Sequence, residues 1–478
     1  MNIAGYTWWE WLVIFQNELL LFAAIFFLVG AIDDIVVDLS WIWLKIFGKS
    51  PVETIDDTQL IGAPLAGDAA VFVPAWSEAE VIADTLAHAL DAWPQDNVRI
   101  YVGCYRNDPA TIEAVMRAAP GDARLRLVVH GRHGPSTKAD CLNRLYQAMR
   151  SDEARGGFYP RMVLFHDAED MVDPAALNLL DEAIDDADFV QLPVLALPQR
   201  ESRWLGSHYV EEFAEAHGKS MVVRDAIGAA LPAAGVGFAI SRQALQSLAD
   251  RYESELPFET DSLTEDYELG LAVAEAGGKC SFVRKRHSNG ELVATRAYFP
   301  SKLVDVVRQK TRWVHGIAFQ GWDRLGWGAQ SGKSGVAEAW MRLRDRRGPM
   351  TALVLFVAYL LLGLSGVLWI ASQFGYGETL MLTPMLKILL AANFATFVWR
   401  AVMRFGFTAQ EFGLVEGFRA MLRIPIANII AIMAGRRALA AYIRSLAGEA
   451  LVWDKTPHST HPARDFRRSG TTLEGATA

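Results

Sequence analysis

The feature that most constrains this chain is a long segment without charge. Residues 348–377 contain no Asp, Glu, Lys or Arg. A helix of about 20 apolar residues crosses a bilayer, so this segment is long enough to span with some tilt. Two further apolar stretches, Leu380–Trp399 and Trp11–Ile32, have few polar interruptions. We therefore predict a chain anchored in a membrane near both ends, with a globular part folded between the anchors.

The basic residues around these segments predict one orientation. Lys and Arg near membrane ends mark the cytoplasmic side, and here they cluster at residues 45–49, 333–347 and 400–404. Residues 45–347 are therefore expected in the cytoplasm, with the N-terminus and the 372–383 loop outside. The chain has no basic start and no small-residue cleavage site, which favours a retained anchor over a cleaved signal peptide.

Two shorter segments combine apolar and basic residues. Trp41–Phe47 contains Lys45 and is followed by Lys49, and Met421–Gly435 is flanked by arginines on both sides. We predict that both lie at the membrane surface. For Met421–Gly435 the alternative is a third C-terminal span.

Composition excludes several classes of protein. The 478 residues are 51% apolar and 21% charged, which is apolar for a soluble enzyme. The formal net charge of −9 argues against a nucleic-acid partner. The three cysteines show no metal-ligand spacing, so we expect a reducing compartment and no disulfide framework.

Between the anchors, short apolar runs alternate with helical patterns. After a linker at 50–68, the predicted strands are Ala70–Pro74, Val98–Gly103, Leu125–Val129, Met162–Phe165 and Phe189–Val194. The predicted helices include Glu78–Trp93, Thr111–Ala119, Lys138–Arg150 and Trp204–Gly218. This alternation predicts an α/β domain with a mostly parallel sheet. Such sheets bind ligands at the carboxyl ends of their strands.

An acidic turn follows the fourth predicted strand, at Leu164–Pro174. Asp167, Glu169 and Asp170 would repel one another unless a cation lies among them. Carboxylate oxygens suit Mg²⁺ or Mn²⁺, which also bind phosphate oxygens. We predict a metal–diphosphate site centred on Asp167 and Glu169. The alternative is a solvated acidic turn that caps the helix starting near Pro174.

Three earlier junctions carry polar groups at the same predicted edge. The strand end Val73–Glu78 offers a surface for a nucleotide ring. Asp108 has a carboxylate that can bond a base or ribose, although an Asp-Pro turn explains it equally well. Lys138 starts a helix, where a cation is unfavourable unless an anion is present. We therefore predict a phosphate or carboxylate partner for Lys138.

Two later segments complete the set. Leu263–Gly270 holds Thr264, Glu265 and Asp266, which indicate either a helix N-cap with acidic first-turn residues or a general base. Arg308–Trp313 places Gln309, Arg312 and Trp313 within about one helical turn. An amide, a guanidinium and an indole suit a sugar and a diphosphate. The alternative is a basic helix on an anionic membrane surface.

Taken in this order, the motifs resemble those of the family 2 glycosyltransferases, specifically the membrane-embedded synthases. The resemblance runs from about Ala70 to Trp322. Its motifs are matched by Val73-Pro74-Ala75, Asp108, Lys138 with Leu142-Asn143, Asp167-Ala168-Glu169, Thr264-Glu265-Asp266, and Gln309 through Arg312-Trp313. Within that family the chain is most similar to the phage N4 adsorption protein B type, through Gly30–Asp34, His166–Asp170, Arg308–Trp322 and Trp453–His458.

The resemblance implies a GT-A fold, an NDP-sugar donor, with a UDP-sugar preferred, and Mg²⁺ or Mn²⁺ as cofactor. It places the enzyme in the bacterial inner membrane, among membrane lipids. Asp266 would deprotonate the acceptor hydroxyl, and Asp167 and Glu169 would ligate the metal. The implied substrate-binding residues are Pro74, Ala75, Glu78, Asp108, Lys138, Asp167, Gly237, Gln309, Arg312 and Trp313.

Two of these roles are specific to the acceptor side. Trp313 would lie under the acceptor sugar, and Gly235–Phe238 would line the same side. The metal motif departs from the family pattern, since it reads Asp-x-Glu, which makes Asp170 a candidate third ligand. The early acid is Asn107-Asp108, where many relatives have two acids.

The expected domain map has four parts. Residues 1–49 form the anchor and interfacial helix, 50–328 the transferase domain, 329–455 the C-terminal membrane and interfacial helices, and 456–478 a flexible tail. Longer relatives carry a regulatory domain after Trp453–His458, which we expect to be missing here. The expected product is an exopolysaccharide, made with an export partner or a homo-oligomer that completes the pore. The alternatives are a single addition to a lipid-linked acceptor, or a non-catalytic component of a glycan export or phage receptor system.

Overall fold

The computed structural model describes residues 7–48, 52–328, 335–376, 382–449 and 460–469. Helices before and within the transferase domain are α1 (Trp8–Ile46), α2 (Asp57–Leu60), α3 (Ile82–Ala92), α4 (Pro109–Ala118), α5 (Lys138–Arg155), α6 (Ala176–Ala183), α7 (His208–Glu215), α8 (Met221–Ala226), α9 (Arg242–Ala249), α10 (Glu265–Glu275), α11 (Leu303–Val314) and α12 (Gly321–Leu325). Helices that follow are α13 (Gly335–Arg346), α14 (Gly348–Gln373), α15 (Pro384–Leu422), α16 (Ile424–Leu446) and α17 (Pro462–Ser469). Two π-helical turns, Ala216–Ser220 and His315–Gln320, continue α7 and α11.

The strands form one large sheet and two small pairs. They are β1 (Glu53–Thr54), β2 (Asp68–Pro74), β3 (Val98–Tyr105), β4 (Leu125–His130), β5 (Pro160–Phe165), β6 (Phe189–Gln191), β7 (Val194–Ala196), β8 (Phe238–Ser241), β9 (Cys280–Phe282), β10 (Lys285–Arg286) and β11 (Thr295–Ala297). The large sheet has the order β4-β3-β2-β5-β8-β6-β9, in which only β8 runs antiparallel to its neighbours. The small parallel pairs join β1 to β10 and β7 to β11.

The first four predicted strands are confirmed as β2, β3, β4 and β5. Strands β2, β3 and β5 have the buried side chains that parallel strands require on both faces, whereas β4 lies at the edge of the sheet and is only partly buried. The fifth differs. The segment Phe189–Val194 is divided between β6 and β7 at Leu192-Pro193, where proline has no amide to donate to a ladder. The mostly parallel α/β class is therefore confirmed.

Alternating side chains divide the core between the two faces of the sheet. One face carries Phe72, Tyr101 and Phe165 and packs against α5. The other carries Val71 and Leu164, with residues of α3, α4 and α6 around them. Both faces are thus covered, and the carboxyl ends of β2, β3 and β5 share one edge, where the predicted motifs lie.

Four helices are long and apolar enough to cross a membrane, namely α1, α14, α15 and α16. Helix α1 differs from the prediction, because the Trp11–Ile32 span and the separate Trp41–Phe47 segment belong to one continuous helix. Helix α15 extends the predicted Leu380–Trp399 span to Leu422. A break occurs at Gly413, whose φ of 83° is outside helical geometry.

The segment predicted at the membrane surface, Met421–Gly435, divides between the end of α15 and α16. Because α16 has 23 residues, it meets the length of a span. It packs along α11 and α14, and its surface position stays a prediction. The Trp453–His458 motif lies outside the described residues. The expected flexible tail includes α17, which has a buried residue, His461, directly before it.

Candidate active site

The acidic turn starts where β5 leaves the sheet. His166 donates its amide to the Phe72 carbonyl of neighbouring β2 at 3.1 Å, and Asp170 closes a turn on Asp167. Asp167 and Glu169 are half-buried, while Asp170 is buried. The backbone therefore presents the two predicted ligands at the carboxyl edge of the sheet.

Asp170 makes hydrogen bonds inside the turn, and its role as a third metal ligand stays a prediction. Its Oδ2 accepts the Asp167 amide at 2.9 Å and lies 3.0 Å from Nδ1 of His166. A carboxylate engaged by a backbone amide and a ring nitrogen inside the fold stabilises the turn. Asp170 thus holds the backbone of the motif through its Oδ2.

Lys138 joins two of the predicted motifs. It begins α5, where the Thr137 side chain caps the helix. Its Nζ lies 2.6 Å from Oδ1 of Asp167 and 3.9 Å from Oε1 of Glu265. Burial alone would lower the pKa of Lys138, but the charges of Asp167, Glu265 and Asp266 outweigh it and raise that pKa above its ordinary value. The predicted anionic partner of Lys138 is therefore found in carboxylates of the site.

The Thr264-Glu265-Asp266 motif lies at the start of α10. Thr264 is the N-cap by position, yet its side chain makes no capping hydrogen bond. Within the described residues, its buried Oγ1 has no hydrogen-bond partner. Burial, followed by the neighbouring charge of Asp266, raises the pKa of Glu265 to about 7. Burial also raises the pKa of Asp266, opposed by the charge of Lys138. Capping alone therefore does not account for this motif.

A pocket connects these groups. Its lining combines residues from the ends of β2 and β5 with residues from α5 and α10, and they are Pro74, Lys138, Leu142, Phe165, His166, Gly235, Phe238, Phe258, Glu265, Asp266 and Leu269. Gly235 allows the close approach of Asp266, since a Cβ there would lie 2.7 Å from Oδ2 of Asp266. The structure thus brings together Lys138, Asp167 and Asp266, which the sequence placed at separate motifs.

The nucleotide-side residues are closely hydrogen-bonded to one another. Oδ2 of Asp108 accepts the Ser77 amide at 2.6 Å, and its Oδ1 accepts the Thr111 amide at 3.3 Å. Asp108 is thus the N-cap of α4, a structural role that was not predicted from the sequence. Ala75 and Glu78 are buried beside it. A contact between Asp108, or any of these residues, and a nucleoside stays a prediction.

Helix α11 contributes a buried amide and a cation. Gln309 is buried, and its Oε1 has no hydrogen-bond partner within the described residues. The charge of Arg312 opposes the rise that burial causes in the pKa of Asp266. Trp313 instead packs in an aromatic cluster with Tyr209 and Phe299, with Nζ of Lys310 4.6 Å from its ring centroid. Stacking of Trp313 on an acceptor stays a prediction.

The π-helical turn after α11 supports the base motif, which the sequence did not indicate. Gln320 accepts the Leu263 amide at 2.9 Å and donates to the Asp261 carbonyl at 2.8 Å. A Cβ on Gly316 would come within 2.5 Å of the Thr264 side chain. The turn therefore fixes the backbone that leads into Asp266. This π-helical turn was not predicted from the sequence. Such turns are frequent at functional sites.

Gly237 follows Gly235 in the same loop and has a φ of 66°, a conformation that glycine adopts without strain. The loop 235–238 lies against the pocket through Gly235 and Phe238. This agrees with the predicted position of Gly235–Phe238, while a contact with an acceptor stays a prediction.

The carboxylates of the acidic turn are the candidate ligands for a divalent metal. Within the described residues, no group of three or more His, Cys, Asp or Glu side chains could hold a metal ion. Two half-buried carboxylates, Asp167 and Glu169, nevertheless fit the pattern of Mg²⁺, which binds through one or two carboxylates and completes its shell with substrate phosphates and water. These residues fit a metal that arrives with a phosphorylated substrate.

Comparisons with known proteins agree with these motifs. Residues 66–316 match the family described as "Glycosyltransferase like family 2". The "Bacteriophage adsorption protein B" of Escherichia coli K12 and the "Bacteriophage N4 adsorption protein B" of Escherichia coli O157:H7 are each 30% identical over 483 aligned residues, which cover 94% of this chain. The chain spans 63% of the length of these relatives. The resemblance to the adsorption protein B type is confirmed.

Two glycosyltransferases of known structure are among the matches. The mannosyltransferase PcManGT from Pyrobaculum calidifontis, in complex with GDP-Man and Mn²⁺, has a TM-score of 0.49 at 17% identity and covers 88% of this chain and 98% of its own. Glucosyl-3-phosphoglycerate synthase from Mycobacterium tuberculosis has a TM-score of 0.35 at 16% identity and covers 58% and 88%. Since the family match extends over more than half of the residues, the chain belongs to the glycosyltransferase family 2, and its predicted GT-A class is confirmed.

Proposed function

We propose that this protein is an inverting, metal-dependent glycosyltransferase that uses an NDP-sugar, with a UDP-sugar preferred, to build an exopolysaccharide at the bacterial inner membrane. The observation that carries the proposal is the position of Lys138 between Asp167 of the metal motif and the Glu265-Asp266 pair. Lys138 lines the same pocket as Asp266 and pairs with Asp167, so it links the predicted base to the predicted diphosphate site.

Asp266 is the proposed general base. The acceptor hydroxyl oxygen forms a bond to the anomeric carbon, the bond from that carbon to the diphosphate oxygen breaks, and the hydroxyl proton goes to Asp266. A partly buried carboxylate whose pKa is raised by burial holds a proton better than one in water. The charge of Lys138 opposes this rise in pKa and favours the ionised form that a general base requires.

Lys138 and Arg312 are the proposed cations for the diphosphate. Lys138 lines the same pocket as Asp266, and the charge of Arg312 favours the ionised form of Asp266. Fixed positive groups in a water-excluded site stabilise the charge that develops on the leaving NDP. A divalent ion held by Asp167 and Glu169 would neutralise the same diphosphate when bound. Gln309, with its buried and unpaired Oε1 within the described residues, is suited to bond a sugar hydroxyl.

The membrane setting supports synthesis of a glycan at a bilayer. Four described helices meet the length and hydropathy of membrane spans, and the transferase domain is proposed to face the cytoplasm. The two relatives are named for bacteriophage adsorption, and a glycan made at the membrane is a product compatible with that name. An export partner or a homo-oligomer would complete a pore, since few helices are available.

The test is release of NDP by the purified full-length protein in detergent. A panel of UDP- and GDP-sugars with Mn²⁺ or Mg²⁺ identifies the donor. In the variant Asp266→Asn, we expect NDP release to fall on the order of 10²–10⁴-fold. The exposed Asp186→Asn is the matched control and should retain the wild-type rate.

Two outcomes would count against the proposal. Full activity of Asp266→Asn would refute the base assignment, and failure of the wild type to bind any nucleotide would favour a non-catalytic component. The length of the product separates a polymer from a single addition to a lipid-linked acceptor.

A further inference from the structure

The segment around α17 packs against the transferase domain beside the metal motif. His461 is fully buried and Ala463 is 3% exposed, although both follow the membrane helices in the chain. Nε2 of His461 lies 3.1 Å from the carbonyl oxygen of Asp170, a residue 291 positions earlier. A segment expected to be flexible therefore contacts the turn that carries Asp167 and Glu169.

The hydrogen bonds of His461 define its protonation. Its Nδ1 accepts the Ala463 amide at 3.2 Å, and a carbonyl oxygen such as that of Asp170 only accepts. The ring is therefore neutral, with its proton on Nε2, which donates to Asp170. The contact needs no charge and holds the backbone directly.

The segment 460–465, called the strap below, is held at two further points. The guanidinium of Arg464 pairs with Asp84 on α3 and bonds the Glu80 carbonyl. The Tyr298 hydroxyl donates to Asp465 at 3.0 Å. The strap therefore lies across α3 and the chain that follows β11, and both flank the metal-motif turn.

The same turn is held by side chains at several carbonyls. On α3, Thr85 bonds the Ala168 carbonyl, and His88 lies 2.9 Å from that of Val172. The Asp170 carbonyl lies between these two positions and is bonded by His461. The turn is thus fixed from α3 on both sides of Asp170 and from the strap at Asp170 itself.

Residue 170 is the point at which displacement would matter most. The Asp170 carboxylate holds the Asp167 amide at 2.9 Å, and the next residue, Met171, pairs with Arg296 by two backbone bonds. A shift of the Asp170 peptide would therefore move the backbone of Asp167 and, with it, the carboxylate. Support of this kind behind a ligand sets its orientation.

We infer that His461 is a positioning residue, through which the strap orients Asp167 and Glu169 for a divalent ion and its bound diphosphate. The inference rests on the proposed function for the identity of that ligand. The contact itself stands on the burial of His461 and on its bonds to Asp170 and Ala463.

The experiment compares three variants of the full-length protein. His461→Ala removes the donor, His461→Gln retains an N–H donor at the reach of Nε2, and His133→Ala is an exposed matched control. Amide hydrogen exchange of a peptide covering 166–173 is measured without metal, and the Mn²⁺ concentration for half-maximal NDP release is measured with donor. Thermal unfolding is recorded for each variant.

We expect faster exchange of the 166–173 peptide in His461→Ala, with exchange in β3 unchanged. The half-maximal Mn²⁺ concentration should rise about tenfold. His461→Gln should restore both, and His133→Ala should match the wild type. Restoration by Gln distinguishes positioning from loss of fold.

Wild-type exchange in His461→Ala would overturn the inference, as would an exchange increase that spreads through β3 with a loss of thermal stability. Equal defects in His461→Gln and His461→Ala would also overturn it. If the wild type binds no donor, the proposed function fails, yet the exchange comparison still decides the role of His461.

Discussion

Two regions of this molecule collect carboxylates and cations, and they do so in opposite ways. At the junction of α1 with the helices that follow, Asp33 and Asp34 bond Arg344 and Arg347, and Asp34 also bonds Arg400. The set continues at Asp38, which accepts Lys219 at 2.5 Å and the Trp399 indole at 2.7 Å. Every acid of this junction therefore has a cation beside it.

The active site has the opposite balance. Lys138 is shared among three acids, Asp167, Glu265 and Asp266. Two of them, Glu265 and Asp266, have raised pKa values because burial opposes their charge. Charges that are matched in pairs hold helices together, whereas an excess of carboxylates favours a further cation. The difference suggests that the first region is structural and that the second is made for a ligand.

The largest expected effect is a loss of stability at the junction. Asp34→Asn keeps the shape of the side chain but leaves three arginines, Arg344, Arg347 and Arg400, with one carboxylate fewer. Since Asp34 is 6% exposed, breaking this set should cost about 3 kcal/mol of unfolding free energy. Thermal unfolding in detergent measures it, with Asp186→Asn as the exposed control.

The variant Asp34→Asn should leave turnover unchanged. NDP release per folded molecule should match the wild type, because Asp34 lines no part of the pocket. A variant with normal stability, or one that folds normally but has lost turnover, would contradict the division between the two regions.

The second prediction concerns turnover at the active site. In Gly235→Ala, a Cβ 2.7 Å from Oδ2 of Asp266 must displace the proposed base. A misplacement of this size costs up to about 10²-fold in turnover, while donor affinity should change little. NDP release and donor binding are measured on the same preparation.

Gly228→Ala is the matched control for backbone strain. Gly228 has a φ of 68°, close to the 88° of Gly235, but no atom lies within 4 Å of its added Cβ. Both variants bear a strain of about 1–3 kcal/mol. Equal turnover in the two variants would show that a contact between the added Cβ and Asp266 does not affect turnover.

The sequence was most informative where the signal is local. Strands β2 to β5 were predicted because each is an apolar run followed by a polar segment. Asp167 directly follows β5, Lys138 begins the helix after β4, and Asp266 lies in the first turn of α10. Their convergence follows from the sheet, whose parallel strands end at one edge. Family resemblance supplied the roles, and the geometry is consistent with them.

The misses involve partners far apart in the chain. Helix α1 continues through Asp33 and Asp34 because arginines more than 300 residues later bond them. The buried position of His461 depends on Asp170, 291 residues away. The engagement of Asp170 with His166 is local, but three adjacent acids gave no indication of which one turns inward. Pairings of this kind are decided by packing rather than by pattern.

A third cluster of acids and cations is expected to depend on pH. His287 lies between Asp57 and Asp173, at 2.6 Å and 3.0 Å, and Arg296 also bonds Asp173. Burial would lower the pKa of His287, but Asp173 and Asp57 outweigh it and raise the pKa from 6.5 to about 9. In this cluster, as at the junction, each acid has a cation beside it. The cluster joins the segment before the sheet to the end of the metal-motif loop.

The smallest predicted effect follows from this shift. A histidine with a raised pKa contributes stability that is fully present below pH 6.5 and is lost as the pH rises through about 9. The difference in melting temperature between wild type and His287→Gln should therefore be constant from about pH 5 to 6.5 and shrink steadily toward pH 9. The exposed His133→Gln should show no such trend. A difference that is flat across this range would mean that packing, rather than the charge of His287, stabilises the cluster.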